Sequence, residues 1–117
     1  MKKILIIDDD KISINLLSHM LKNNYDITST FDSWNAVNIL RKNNFEIVIS
    51  DICMPMVDGF EILRIVKQTN PETKTIAMSA SFAEKDKEMF LEKGFFDFFE
   101  KPFQKEKILE IMKRATK

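Results

Sequence analysis

Little in this sequence cross-links or breaks the chain. A single cysteine, Cys53, excludes an internal disulfide and fits a reducing, cytoplasmic setting. Two glycines and three prolines among 117 residues leave no linker and no low-complexity tract, so one domain over 1–117 with one core is expected. Net charge is also missing: 18 basic residues balance 18 acidic ones, and nothing global draws the chain to nucleic acid or to a membrane. There is no long apolar run. The basic start Met1-Lys2-Lys3 is followed only by Ile4 to Ile7 before three aspartates, too short a stretch for a signal peptide or a membrane span. No solenoid-type repeat of roughly 20–50 residues recurs. What remains is 44% hydrophobic and 31% charged, ordinary for a globular protein.

The regularity lies in an alternation of short β-like runs with longer helical patterns. Strands are expected near 3–7, 26–30, 46–50, 74–78 and 96–99, and helices near 11–22, 34–43, 59–68, 83–93 and 104–115. The runs at 3–7 and 46–50 are continuously apolar, as strands covered by helices on both faces must be. Asp26-Ile27-Thr28-Ser29-Thr30 is more polar and suits an edge. Asp58 with Glu61, and Ser81 with Glu84, have capping-box spacing. Gly94 suits the C-terminal cap of the fourth helix. Trp34, Val37 and Leu40 follow a helical stripe and are expected in the core, and the seven methionines are expected to fill gaps. His19 has no partner motif and is assigned to surface or packing. Five βα units in series predict a parallel five-stranded sheet, because each crossover helix returns the chain to the same edge.

Polar chemistry follows the apolar runs. Asp8-Asp9-Asp10 ends the first, Asp51 the third, Ser79 the fourth, and Lys101 the fifth. In a parallel sheet these C-terminal ends share one edge, where open α/β sheets place their ligand sites. Asp8, Asp9 and Asp51 would meet there if the first and third strands are neighbours. Carboxylates about 4 Å apart repel by several kcal/mol at an effective dielectric of about 20, so such a cluster takes up protons or binds a cation. Oxygen ligands without histidine favour Mg²⁺ or Ca²⁺, and a sparse carboxylate set suits Mg²⁺ better. The bland alternative for Asp8 to Asp10 is an acidic helix N-terminus, and Asp10 best fits a cap alone. A metal, a carboxylate, a hydroxyl and an ammonium on one edge compose a phosphoryl-transfer site. The charges balance: three aspartates against Mg²⁺ and Lys101.

The ordered set Ile6-Ile7-Asp8-Asp9-Asp10, Ser50-Asp51-Ile52-Cys53-Met54-Pro55-Met56-Val57-Asp58-Gly59, Met78-Ser79-Ala80 and Glu100-Lys101-Pro102-Phe103 resembles a receiver domain of the two-component response-regulator family, along the whole chain. The resemblance implies a doubly wound, flavodoxin-like (βα)5 fold with strand order 2-1-3-4-5. It implies a signalling switch rather than an enzyme, one that catalyses only its own aspartyl phosphorylation and dephosphorylation. Asp51 would accept a phosphoryl group from a sensor histidine kinase or a histidine phosphotransferase. Mg²⁺ would be held by Asp9 and Asp51 directly, by Asp8 through water, and by the backbone carbonyl of Cys53. Ser79 and Lys101 would contact the phosphoryl group, Phe98 would be the aromatic switch beside Ser79, and the Lys101-Pro102 bond would be cis.

Further expectations follow for partners. If the chain is a whole gene product, output would be protein binding or phosphoryl relay, to an unknown downstream protein, by a monomer or a weak phosphorylation-dependent dimer. Lys11, Ile12 and Asn15 should rim the pocket, with Ile12 an exposed apolar anchor for a phosphotransferase helix. Phe98 has no phenol hydroxyl to anchor it outward. Phe95-Phe96-Asp97-Phe98-Phe99 is unusually aromatic; it is read as a tightly packed strand, with Phe96 adding to a docking face if it points outward. Two rivals are weighed. A pseudo-receiver would not need the intact set Asp8, Asp9, Asp51, Ser79 and Lys101, and a flavodoxin-like cofactor protein would need a phosphate loop after the first strand.

Overall fold

The computed structural model describes residues 1–80 and 84–117, with 84 and 85 described by backbone alone. The elements run β1 (Lys2–Ile7), α1 (Lys11–Leu21), β2 (Tyr25–Thr30), α2 (Ser33–Lys42), β3 (Ile47–Asp51), α3 (Gly59–Thr69), β4 (Lys74–Ser79), α4 (Glu84–Lys93), β5 (Asp97–Glu100) and α5 (Lys105–Ala115). The strands form one parallel sheet in the order β2-β1-β3-β4-β5, with the polar strand β2 at an edge, as expected.

Alternation along each strand explains the continuous apolar runs. Ile4 and Ile6 of β1, with Ile47 and Ile49 of β3, pack on one face against Leu17 and Leu21 of α1 and Ile108 and Met112 of α5. Leu5, Ile7 and Val48 point to the other face, against Ala36, Val37 and Leu40 of α2 and Ile62 and Val66 of α3. A third cluster, Leu63, Ala77, Phe90 and Phe95, fills the space under α4. There Phe60, Phe90 and Phe95 lie with ring centroids 5.8 Å apart, a separation favourable for aromatic pairs.

Three helix starts follow side-chain caps. Asp10 caps α1, accepting from the Ile12 amide at 3.0 Å and the Ser13 hydroxyl at 2.9 Å. Asp32 caps α2 through the Trp34 amide at 2.9 Å, and Asp58 caps α3 through the Glu61 amide at 2.9 Å. Glu61 does not complete a reciprocal box; its carboxylate takes Arg64 at 2.9 Å instead. The Ser81–Glu84 pair lies outside the described residues. Gly94 follows α4 with φ +115, the positive-φ cap expected of it.

Two core expectations are corrected. Trp34 is exposed. The Asp32 cap sets the frame of α2 so that Ser33, Ala36, Val37 and Leu40 form the buried stripe, and Trp34 lies one step off it. Met1 and Met56 are exposed rather than gap fillers. In the aromatic run, Phe95 and Phe99 are core, while Phe96 and Phe98 are half-buried against opposite clusters.

Candidate functional site

Strand register delivers the polar residues to one edge. Ile7 pairs with Ser50, which sets Asp8 beside Asp51 at the ends of β1 and β3. Asp51 pairs with Met78, which puts Ser79 one residue further along β4. Ser79 pairs with Glu100, and the Lys101 amide donates to the Ser79 carbonyl at 2.9 Å. The Lys101-Pro102 peptide is cis, as expected.

Carboxylate oxygens of Asp8, Asp9 and Asp51 lie within 4.8 Å of one another; Asp8 and Asp51 are buried and Asp9 is exposed. Lys101 Nζ donates to Asp8 Oδ2 at 2.6 Å and lies 3.8 Å from Asp51 Oδ1. Asp8 Oδ1 also accepts from the Asp10 amide at 3.0 Å, and Asp51 Oδ1 from the Ile52 amide at 3.1 Å. One ammonium against three carboxylates leaves a charge deficit. Burial first, then the Asp8 carboxylate, push the Asp51 carboxyl up to about 6; Lys101 opposes this and Asp9 adds to it. Asp10 stands apart from this cluster. The Ser13 hydroxyl and then the Ile12 amide hold its carboxyl below the usual range, consistent with a cap alone.

The oxygen-only donor set and the raised Asp51 carboxyl fit a hard divalent cation. Cys53 is exposed in the loop after β3, two residues from Asp51. Its thiol is not needed by a cluster made of carboxylates.

The sequence reading missed several contributors. Gly59 approaches the site so closely that a Cβ there would lie 2.6 Å from the Asp51 carbonyl oxygen and 2.9 Å from the Ile52 Cα. Its amide donates to the Ile52 carbonyl at 3.1 Å. Its place in the run Ser50 to Gly59, directly after a helix cap, is the signal that marks it. Ser33 pins the same loop: its hydroxyl donates to the Pro55 carbonyl at 3.0 Å and accepts from the Val57 amide at 3.2 Å. Lys87 of α4 sits 5.4 Å from the Phe98 ring centroid and 3.3 Å from Glu100. Phe98 thus has a cationic anchor in place of the missing phenol hydroxyl, and nothing in the local sequence marks that pairing. Phe96 is flanked by Lys74 and Arg114, each 5.7 Å from its centroid, so it is only partly available to a docking face. Ile12, Lys11 and Asn15 are exposed at the start of α1, as expected.

The family model of the response regulator receiver domain matches residues 4–113. Among curated proteins the chain is similar to the transcription factor SKN7 of Saccharomyces cerevisiae, 32% identical over 115 residues, a match covering 97% of this chain and 18% of that protein. The chain thus spans about a fifth of the length of the curated relatives it matches. Among solved structures, the BeF3-activated receiver domain of DrrB, a Thermotoga maritima protein, superposes with TM-score 0.90 at 29% identity, covering 99% of this chain and 97% of that one. The receiver domain of the Francisella response regulator 1452 superposes with TM-score 0.88 at 28% identity, covering 99% and 98%.

Proposed function

Because the chain belongs to the response regulator receiver domain family, whose members are phosphoacceptors of two-component signalling, we propose that Asp51 is the acceptor and that phosphorylation there switches a protein-binding face. The observation that carries this reading is the buried Asp51 carboxylate at a strand end, within 4.8 Å of Asp8 and Asp9 and 3.8 Å from the Lys101 ammonium. An Asp51 oxygen attacks the phosphorus of a phosphohistidine on a kinase or phosphotransferase. The new P–O bond forms as the P–N bond breaks, and the electron pair leaves with the imidazole.

Asp8, Asp9, Asp51 and the carbonyl of Cys53 would hold Mg²⁺, which when bound supplies the positive charge that the cluster lacks. Lys101, held on Asp8 in this state, turns toward the phosphoryl oxygens as negative charge builds there. The Ser79 hydroxyl donates to another. Those contacts exist in only one packing of the β4 and β5 ends, so they shift the population toward it, with Phe98 turning inward from under Lys87. The output is a changed α4–β5–α5 face that binds a partner. The chemistry is the domain's own: the chain catalyses its own aspartyl phosphorylation and dephosphorylation.

Mass spectrometry after incubation with Mg²⁺ and acetyl phosphate tests the reading. The wild type should gain one phosphoryl group, and Asp51→Asn none. A wild type that stays unmodified, or a variant that is labelled equally, refutes the assignment.

A further inference from the structure

Helices α3 and α4 leave an open groove of about 520 Å³ between them, a size usual for small-molecule sites. Its floor is apolar, with Phe60 and Leu63 from α3 and Met89 from α4. Leu63 is buried, but Phe60 and Met89 are only half-buried although both pack on the cluster under α4.

The rim is basic. Arg64, Lys67 and Lys93 face a single acid, Glu61. Glu61 is already bonded to Arg64 at 2.9 Å. Among the described residues, the Lys67 and Lys93 ammoniums have no carboxylate partner. Three cations against one anion leave two positive charges around this groove, in a chain whose net charge is zero. The backbone helps to place them. Gly94 holds φ +115, and a Cβ there would run into the Lys67 stem, 2.6 Å from its Nζ. The missing side chain lets Lys67 lie across the C-terminal end of α4, where the helix dipole favours a cation. Lys93 Nζ lies 6.0 Å from the Phe60 ring centroid. The two ammoniums thus flank the apolar floor.

Phe60 also connects this floor to the rest of the molecule. Its ring stacks on Phe90 and meets Phe95 edge-on, and Phe98 packs against the same cluster. A body seated on Phe60 bears on the packing that holds Phe98.

We propose that the α3–α4 groove is a second ligand site, which takes a small amphiphilic anion and couples it through Phe60, Phe90 and Phe95 to the position of Phe98. The apolar body lies on Phe60, Leu63 and Met89, and a carboxylate, sulfonate or phosphate head meets Lys67 and Lys93. Binding there favours whichever packing of Phe98 leaves the groove open to the ligand. The coupling rests on Asp51 as acceptor; the binding does not.

The test titrates 1-naphthoate, and its neutral analogue 1-naphthalenemethanol, into the isotope-labelled full chain and follows the amides by NMR. Naphthoate should shift residues of α3 and α4 saturably at about millimolar concentration or below, and more weakly as ionic strength rises. The double variant Lys67→Gln, Lys93→Gln should bind naphthoate about fivefold to tenfold more weakly, the worth of two exposed ion pairs, and the neutral analogue as wild type does. A thermal melt confirms its folding. Acetyl phosphate and Mg²⁺, with labelling of Asp51 read by mass spectrometry, should change the naphthoate affinity, because coupling between two sites is reciprocal. Absence of a saturable shift in these two helices overturns the site. So does equal affinity for the charged and neutral probes, or for wild type and the lysine variant. Sedimentation showing that wild type dimerises, while Met89→Glu is monomeric, assigns the groove to a second copy of the chain and also overturns it. An affinity that stays constant while Asp51 is labelled overturns the coupling. Failure of acetyl phosphate to label Asp51 overturns the acceptor reading and the coupling with it, while the site itself stands or falls on naphthoate binding to the unmodified chain.

Discussion

At the residue scale, Asp51 ties the site's chemistry to stability. Its carboxyl is held up to about 6, against 3.8 in an ordinary setting, so between those pH values the folded state binds more protons than the unfolded one. Its contribution to stability therefore falls as pH rises through this window and is level above about 6. Asp51→Asn lacks that titration. The variant's stability advantage over wild type should widen from about pH 4 to about pH 7 in chemical denaturation; a constant gap would show that burial and Asp8 do not raise this carboxyl. The same proton competes with a cation, so Mg²⁺ affinity should weaken as pH drops below about 6. A second residue-scale case is Thr75, buried in β4, whose hydroxyl has no hydrogen-bond partner among the described residues. Thr75→Val keeps the shape and removes the stranded group, so stability should rise by about 1 kcal/mol in urea denaturation. A loss would mean that the hydroxyl is bonded.

At the element scale, the β3–α3 connection carries the closest tolerances. A Cβ on Gly59 would meet backbone atoms of Asp51 and Ile52 at 2.6 and 2.9 Å, and backbone cannot rotate aside as a flexible side chain can. Gly59→Ala should therefore cost roughly 1–3 kcal/mol and slow acetyl phosphate labelling by displacing Asp51. A variant with wild-type melting and labelling would show that the loop yields freely. These elements also show how far the sequence can be read. Strands β1 and β3 were legible because both faces of the sheet are covered, which makes every residue from Ile4 to Ile7 and Ile47 to Ile49 apolar and buried. Asp8, Asp9, Asp51, Ser79 and Lys101 were legible because a parallel sheet brings every strand's C-terminal end to one edge, whatever the packing details. Trp34 was misread because an apolar identity says nothing about phase. The Asp32 cap, not the tryptophan, decides which side of α2 faces inward. The Lys87–Phe98 contact and the backbone conformation of Met56 were not legible, since each depends on tertiary placement that leaves no periodic trace.

At the scale of the whole molecule, folding itself builds the carboxylate cluster that could hold a cation. Asp8 and Asp9 follow β1, Asp51 ends β3, and their oxygens come within 4.8 Å only through the β1–β3 pairing. The unfolded chain has no equivalent cluster, so a cation that binds here stabilises the fold by mass action. At ten times its dissociation constant, Mg²⁺ should add about 1.4 kcal/mol, a rise of about 5 °C in Tm for a domain of this size. The same cluster strains the chain without a cation, because three carboxylates share one ammonium. Asp9 is the informative member to remove, being exposed. Asp9→Ala relieves repulsion on Asp8 and Asp51, so without Mg²⁺ the variant should melt at or above the wild-type temperature. With Mg²⁺ its Tm should stay put while the wild type rises, and acetyl phosphate should no longer label Asp51. If the variant keeps the Mg²⁺-dependent rise in Tm, the cation binds elsewhere, and the charge deficit at this edge is met by protons alone.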